Sequence, residues 1–390
     1  MHLKITIPLI LLAAMTACVD DSADTQDTNT PSANVATWKG NAKAAYSIIH
    51  DDFCAKPFAS SGIVKHWHEL TDRGLVAGFS AIVGACEFRP DYYDEMHKMV
   101  NAGMEIINHT YTHPSTQGGF DTGLWSDNVD WQHELRDSDT TLHSHGLSDI
   151  SYFAFPLDIA TKPNPAAKLP PALSALDDNA LLREVQSMGY KGARGGRPAS
   201  INPAEMEITL DDLTPFRANF DCFNIHQAGE KRCSKYDGPA VTVLNKYLDD
   251  AIRNGGWALR ELHEIGENDY WGWLSLQEYR DHLDYVQEKI RTGQIWMDTP
   301  TKITLYWASR AYCGKPSLTP EGVLDFDSPT NGAGCIKYST PLDVIVTMPE
   351  ANSITAAQEG QTLAVTSLGN HQFMLTVNPT GGATRITDIR

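Results

Sequence analysis

Residues 44–53 read AAYSIIHDDF, an apolar run that ends at His50 and is followed at once by Asp51 and Asp52. A continuous apolar run of this length fits a strand covered on both faces, the habit of parallel sheets. Two carboxylates side by side at its end repel each other. Either they form a solvated turn, or a cation neutralises one while the other stays ionised because that cation is close.

Outward from this strand the chain alternates. SSGIVKHWHELTDRGL (60–75) places Ile63, Trp67 and Leu70 at helical spacing, with Gly74 as a stop. VAGFSAIVGA (76–85) reads as a second strand, PDYYDEMHKMVNAG (90–103) as a helix and MEIINH (104–109) as a third strand. A helix around 131–145 then precedes ISYFAFP (150–156), and one at 178–188 precedes YKGARGG (190–196). AVTVLNKYLDDAIRNGG (240–256) precedes WALRELHEI (257–265). Ser275 and Glu278 have capping-box spacing before a stripe of Tyr279, Leu283, Val286 and Ile290, and IWMDTPTKITLYW (295–307) follows. About seven β-then-α units over roughly 270 residues suit a closed barrel of parallel strands better than an open sheet. From residue 312 the texture changes to short β-branched runs with Asn, Gly and Pro between them, such as LDVIVTM (342–348) and HQFMLTVNPTGG (371–382). Residues 312–390 are expected to form a small β-sandwich-like module.

In barrels of this kind the chemistry gathers at the carboxyl ends of the strands. The chemically loaded residues fall there: Asp51 and Asp52 after the first run, His109 and His113 (NHTYTH) after the third, FAFPLD after the fourth, Arg194 after YKGA and His263 after WALREL. Two imidazoles and one carboxylate are enough to hold a zinc-like ion with positions left open. Such an ion lowers the pKa of its bound water and polarises a carbonyl. A second carboxylate can take the water's proton, and an acid opposite can protonate the leaving group.

The order HDDF (50–53), HTYTH (109–113), YFAFP (152–156), ELHEI (261–265) resembles the polysaccharide deacetylase family, carbohydrate esterase family 4, of the NodB-homology type, over roughly residues 40–311. The resemblance implies an α/β fold, a distorted (β/α)7 barrel, here with a small C-terminal all-β module. It also implies removal of acetyl groups from N-acetylglucosamine polymers or, in some members, O-acetylated xylan. Carried over, it makes Asp51 the catalytic base, Asp52, His109 and His113 the metal ligands and His263 the general acid. The backbone near Phe155 and Pro156 would help hold the oxyanion. The implied cofactor is one divalent metal, with Zn2+ expected and Co2+ or Ni2+ as alternatives. Phe153 stands where many members have an Arg, and Arg194 is the candidate replacement. Asp158 is a further candidate near the site. Trp271 and Trp273 on NDYWGW, and less so Trp125 and Trp131, are candidates for stacking on sugar faces; His143 and His145 read as solvated. The partner expected is an acetylated oligo- or polysaccharide. The competing readings are an O-acetyl (acetylxylan) esterase and a non-catalytic carbohydrate-binding lipoprotein on the same scaffold.

The bulk numbers agree with these readings. A formal charge of −18 argues against nucleic acid or anionic lipid as partner, and no protein partner is evident. MHLK, the apolar run ITIPLILLAAM and then TAC resemble a bacterial lipoprotein signal, 1–18, with Cys18 lipidated. That implies an envelope lipoprotein of the outer membrane, touching the membrane only through its N-terminal lipid. Residues 19–38, rich in Asp, Thr, Ser and Asn, are expected to be a disordered tether, with the barrel at 39–311. The other six cysteines suggest disulfides, with neighbours pairing as 54–86, 222–233 and 313–335.

Overall fold

The computed structural model describes residues 30–55, 59–114, 129–156, 179–206, 213–224, 234–266, 272–326 and 332–389. Sixteen strands are named in chain order: β1 (Ser32–Val35), β2 (Ala44–Phe53), β3 (Gly78–Ala81), β4 (Glu105–Asn108), β5 (Tyr152–Ala154), β6 (Gly192–Arg194), β7 (Trp257–Leu262), β8 (Ile295–Met297), β9 (Pro316–Leu318), β10 (Val323–Phe326), β11 (Leu342–Thr347), β12 (Ser353–Gln358), β13 (Gln361–Leu363), β14 (Val365–Gly369), β15 (Gln372–Val377) and β16 (Thr384–Ile389).

Strands β2 to β8 form one parallel sheet in the order β6-β5-β4-β3-β2-β7, with β8 beside the first half of β2. All ten residues of β2 are buried, which is why its sequence is apolar throughout rather than alternating. The sheet curls into a distorted (β/α) barrel. Residues 218–221 span the gap between β6 and β7 through parallel bridges Arg194–Ala218 and Asp221–Arg260. The seventh stave is therefore this short segment, which carries no apolar run, and not β8.

The helices cover the barrel with the stripes the sequence shows. Tyr279, Leu283 and Val286 of Leu276–Arg291 are buried, and so are Val243, Leu244, Tyr247 and Leu248 of Ala240–Asn254. Each such side chain contributes about 1.5–3 kcal/mol by leaving water. The expected capping box is formed: Ser275 Oγ accepts from Glu278 N–H, and the Glu278 side chain accepts from Ser275 N–H. The second apolar run departs from expectation. Only Gly78–Ala81 is strand, and Val83–Cys86 turns into a short helix.

Beyond the barrel, a four-stranded sheet (β1-β11-β15-β14) and a five-stranded sheet (β13-β12-β16-β10-β9) enclose a core that includes Leu324, Val344, Val346, Phe373 and Leu375. Two features differ from the sequence reading. Residues 32–35, assigned there to the tether, form β1 and pair antiparallel with β11. The all-β module also carries a helix, Gly332–Tyr338, in which Cys335 bonds to Cys313 at the end of the preceding helix, Pro300–Tyr312. Cys54 bonds to Cys86 as expected; Cys222 is disulfide-bonded, and its expected partner Cys233 lies outside the described residues, as does the leader.

Glu105 opens β4 at the barrel end opposite the acids of β2. It lines a cavity of about 200 Å³ with Asp149, Thr301 and Lys302. Its carboxylate accepts from the Thr301 N–H (3.1 Å) and from the Thr301 hydroxyl. Burial nevertheless pushes its pKa from 4.5 up to about 7, with Asp149 adding to the rise. A carboxyl raised in this way binds its proton more tightly in the folded state. The stability it contributes is full below pH 4.5 and is lost as pH climbs through 7. That loss is expected to be roughly 3 kcal/mol, and Glu105→Gln should flatten it. Denaturant midpoints measured across this range for both proteins check the point; parallel curves would refute it.

Candidate metal centre and active site

The acids do not follow β2 but belong to it, since the strand runs on to Phe53. Asp52 has φ 60° and Cys54 φ 76°, and the Cys54–Cys86 disulfide ties this end to the short helix after β3. The turn after β4 is equally unusual, with Thr110 at φ 69° and His113 at φ 56°. Asp and His enter this left-handed region more readily than a β-branched Thr. Each such residue costs of order 1–3 kcal/mol and persists only where its surroundings impose it.

The two strained segments bring three donors together. His109 Nε2 lies 3.4 Å and His113 Nε2 3.3 Å from the same oxygen, Asp52 Oδ1. All three residues are buried. His109 donates its Nδ1–H to the Ala154 carbonyl at 2.7 Å, which turns its Nε2 toward Asp52; burial works to lower its pKa, but Asp51 and Asp52 outweigh burial and raise it. Bonds of about 2.0–2.1 Å to a tetrahedral ion place its donors about 3.3 Å apart, and the spacing here matches. Burial pushes the His113 pKa down to about 4, which keeps the ring neutral. Burial alone would raise Asp52, but His113 and His109 outweigh it and hold the carboxylate ionised.

Asp51 faces the same space from the neighbouring position. Arg194 Nη2 sits 2.6 Å from Asp51 Oδ2, and the Ser80 hydroxyl donates to Asp51 Oδ1. Burial works to raise this carboxyl, but Arg194, His109 and His263 together hold it below the usual range. His263 Nε2 lies 3.8 Å from Asp52 and 3.7 Å from Glu261 Oε1. His50 fixes the backbone there, donating to the His263 carbonyl at 3.2 Å while accepting from the Tyr279 hydroxyl at 3.1 Å.

Charge completes the test for a metal. Asp51, Asp52 and Glu261 carry three negative charges, and Arg194 supplies one positive charge to Asp51 and to Glu261 (3.4 Å). These buried carboxylates outnumber the guanidinium beside them, and unbalanced buried charge is disfavoured away from water. A divalent cation among Asp52, His109 and His113 balances it. Asp51, Glu261 and His263 also lie within 4.8 Å of one another. There, however, the Arg194 guanidinium already provides the positive charge.

The structure therefore gathers Asp51, Asp52, His109, His113, Arg194 and His263 at one mouth of the barrel. The backbone near Phe155 and Pro156 was expected to help hold the oxyanion; the residues from 157 to 178 lie outside the described residues. The Phe155 N–H is bonded to the Arg194 carbonyl at 3.3 Å, and proline has none. Phe153 packs on Phe155 and Tyr190. Trp131 is buried in a core cluster and offers no sugar platform; Trp273 is half-buried. His145 stacks on Tyr93 and faces Glu87. Trp125, Asp158 and Trp271 lie outside the described residues. Ser80 and Glu261 were missed from sequence, although Glu261 has a simple signal. It lies two residues before His263 on a strand, hence on the same face.

The pattern of the polysaccharide deacetylase family matches residues 70–167, which include His109 and His113. No curated protein matches the chain. The solved structures it resembles include the Xyl-CE4 domain of a multidomain xylanase from the hindgut metagenome of Trinervitermes trinervoides, at 14% identity over 67% of this chain and 89% of that one, TM-score 0.37. A second is the Bc1960 peptidoglycan N-acetylglucosamine deacetylase, at 14% over 67% and 88%, TM-score 0.37. A third is a CE4 family pseudoenzyme from Bacillus anthracis, at 11% over 68% and 66%, TM-score 0.36.

Proposed function

We propose, for a chain whose residues 70–167 match the polysaccharide deacetylase family, metal-dependent hydrolysis of the acetyl groups of N-acetylated saccharides. One observation carries the reading: a three-donor cluster, Asp52, His109 and His113, with a separate ionised carboxylate, Asp51, on one side and an imidazole, His263, on the other.

Asp52, His109 and His113 would hold the ion. When bound, a divalent metal lowers the pKa of water and polarises a carbonyl. Asp51 takes the proton from the water that attacks the acetyl carbon. Arg194 and Ser80 fix its carboxylate and keep it ionised until that step. His263 delivers a proton to the amine nitrogen as the carbon–nitrogen bond breaks. Burial pushes its pKa down, while the Asp52 and Asp51 carboxylates oppose this and favour the protonated ring that the step requires. Arg194 sits in register beside Ala154 of β5, one strand away from the Phe153 position. The lipoprotein-type leader ending at Cys18 supports an envelope location for this activity.

The test is acetate release from N-acetylchitooligosaccharides by the Zn2+-loaded protein, with acetylxylan offered in parallel. Release is expected from the N-acetylated substrate, falling with a chelator and returning with Zn2+ or Co2+. Release from acetylxylan alone would turn the reading to an O-acetyl esterase. A protein that binds Zn2+ and sugar but frees no acetate from either would be a binder.

A further inference from the structure

The four backbone N–H groups of the turn 110–113 are all capped by side chains. Thr110 N–H donates to Asn108 Oδ1 at 2.9 Å, and His113 N–H to Thr110 Oγ1 at 3.1 Å. The two between them, Tyr111 and Thr112, both donate to Glu134 Oε2, at 3.0 and 2.8 Å. The Thr112 hydroxyl donates to Glu134 Oε1 at 2.6 Å. A single carboxylate thus takes three of the turn's donors.

Glu134 comes from outside the motifs that carry the site. It is buried, and it lies in His133–Asp137, a π-helical turn that runs into Ser138–Ser144. Widened turns of this kind recur at functional sites, where they re-aim side chains. Ser138 follows it and links it to β4: Asn108 Nδ2 donates to Ser138 Oγ at 2.9 Å, and Ser138 Oγ to the Glu134 carbonyl at 2.7 Å. The same Asn108 caps Thr110, so the strand end, the π turn and the ligand turn form one hydrogen-bonded unit. The turn it holds contains Thr110 and His113 in the left-handed region that such residues rarely occupy. In that conformation His113 Nε2 meets the Asp52 oxygen that His109 also faces.

We propose that Glu134 is a positioning residue for the metal centre: its buried carboxylate clamps the His109–His113 turn so that both imidazoles meet Asp52 at the spacing an ion requires. This rests on the metal-site reading above. Groups that orient metal ligands typically change metal affinity by about 10–100-fold when removed. Glutamine keeps the shape. Its carbonyl can accept from the two amides, and its N–H2 can donate to the Thr112 hydroxyl, which can act as acceptor.

Zn2+ affinity is measured on the full chain by competition with a chromophoric chelator, with circular dichroism of the metal-free proteins as the check on folding. The wild type is expected to bind and Asp52→Ala to fail. Glu134→Ala should bind about 10–100-fold more weakly, and Glu134→Gln within about 3-fold of wild type, the isostere rescuing what the truncation loses. Glu134→Ala binding as tightly as the wild type while Asp52→Ala fails overturns the clamp and leaves the metal site standing. A wild type that does not bind Zn2+ overturns the metal site itself. If Glu134→Ala does not fold, Thr112→Val decides: it removes one of the three donors and is expected to weaken Zn2+ by several-fold, and unchanged binding counts against the clamp.

Discussion

Replacing Asp51 by Asn is expected to lower kcat by about 10²–10⁴-fold, the usual worth of a positioned general base, while Zn2+ binding stays within a few-fold of wild type. Asparagine keeps the shape and one oxygen for Ser80 or Arg194 but cannot take a proton. The metal donors are Asp52, His109 and His113, and His113 lies beside Asp52 rather than Asp51. Loss of turnover with retention of metal therefore separates the two adjacent acids. The mirror experiment, Asp52→Asn, should lose metal and turnover together. Steady-state acetate release and metal content, measured on the same preparations, read both quantities. If Asp51→Asn turns over at more than about a tenth of the wild-type rate, Asp51 is not the base. If it loses its metal as Asp52→Asn does, the two carboxylates are not distinct in role.

Much of the barrel was legible because its signals are local. Buried parallel strands read as apolar runs, and the helices announce themselves by stripe and by cap, as Ser275 with Glu278 does. The nearness of the candidate residues was legible for a related reason: a parallel barrel puts every strand's carboxyl end at one mouth, so order along the chain predicts proximity. What escaped was settled by tertiary contact. The closing stave, 218–221, is short and has no continuous apolar run, since Ala218 and Phe220 alternate with Asn219 and Asp221, and it is held by neighbours on both sides. Strand β1 looks like tether because it has only four residues, two of them small, and its partner β11 is some 310 positions away (Ser32 faces Thr347). The backbone near Phe155 and Pro156 was expected to help hold the oxyanion, yet whether any one N–H is free depends on the adjacent strand, which takes that of Phe155 through Arg194 O. Glu134 looks in sequence like any helix-face acid.

That short stave is where the fold is most exposed to a single change. Asp221 donates its N–H to the Leu259 carbonyl at 3.0 Å, and its own carbonyl accepts from Glu261 N–H at 3.0 Å, joining the stave to β7. Its carboxylate binds Arg260 Nη1 at 2.7 Å, both side chains fully buried, and also accepts from the Ser234 hydroxyl at 2.8 Å. Arg260 lies over the Tyr247 ring at 4.7 Å. Asp221→Ala leaves the guanidinium buried without its carboxylate, and the unfolding free energy is expected to fall by about 3–5 kcal/mol. The double variant Asp221→Leu, Arg260→Met should recover much of this, because a buried ion pair contributes little net stability over apolar groups of similar volume. Equilibrium denaturation of the three proteins gives the comparison. A single variant that loses less than about 1 kcal/mol, or a double variant as unstable as the single, would show that the pair does not hold the seam. The consequence reaches the chemistry as well. Arg194, which fixes Asp51, flanks the stave on one side, and Glu261 and His263 flank it on the other. A loosened seam should thus raise KM and lower kcat before the barrel unfolds.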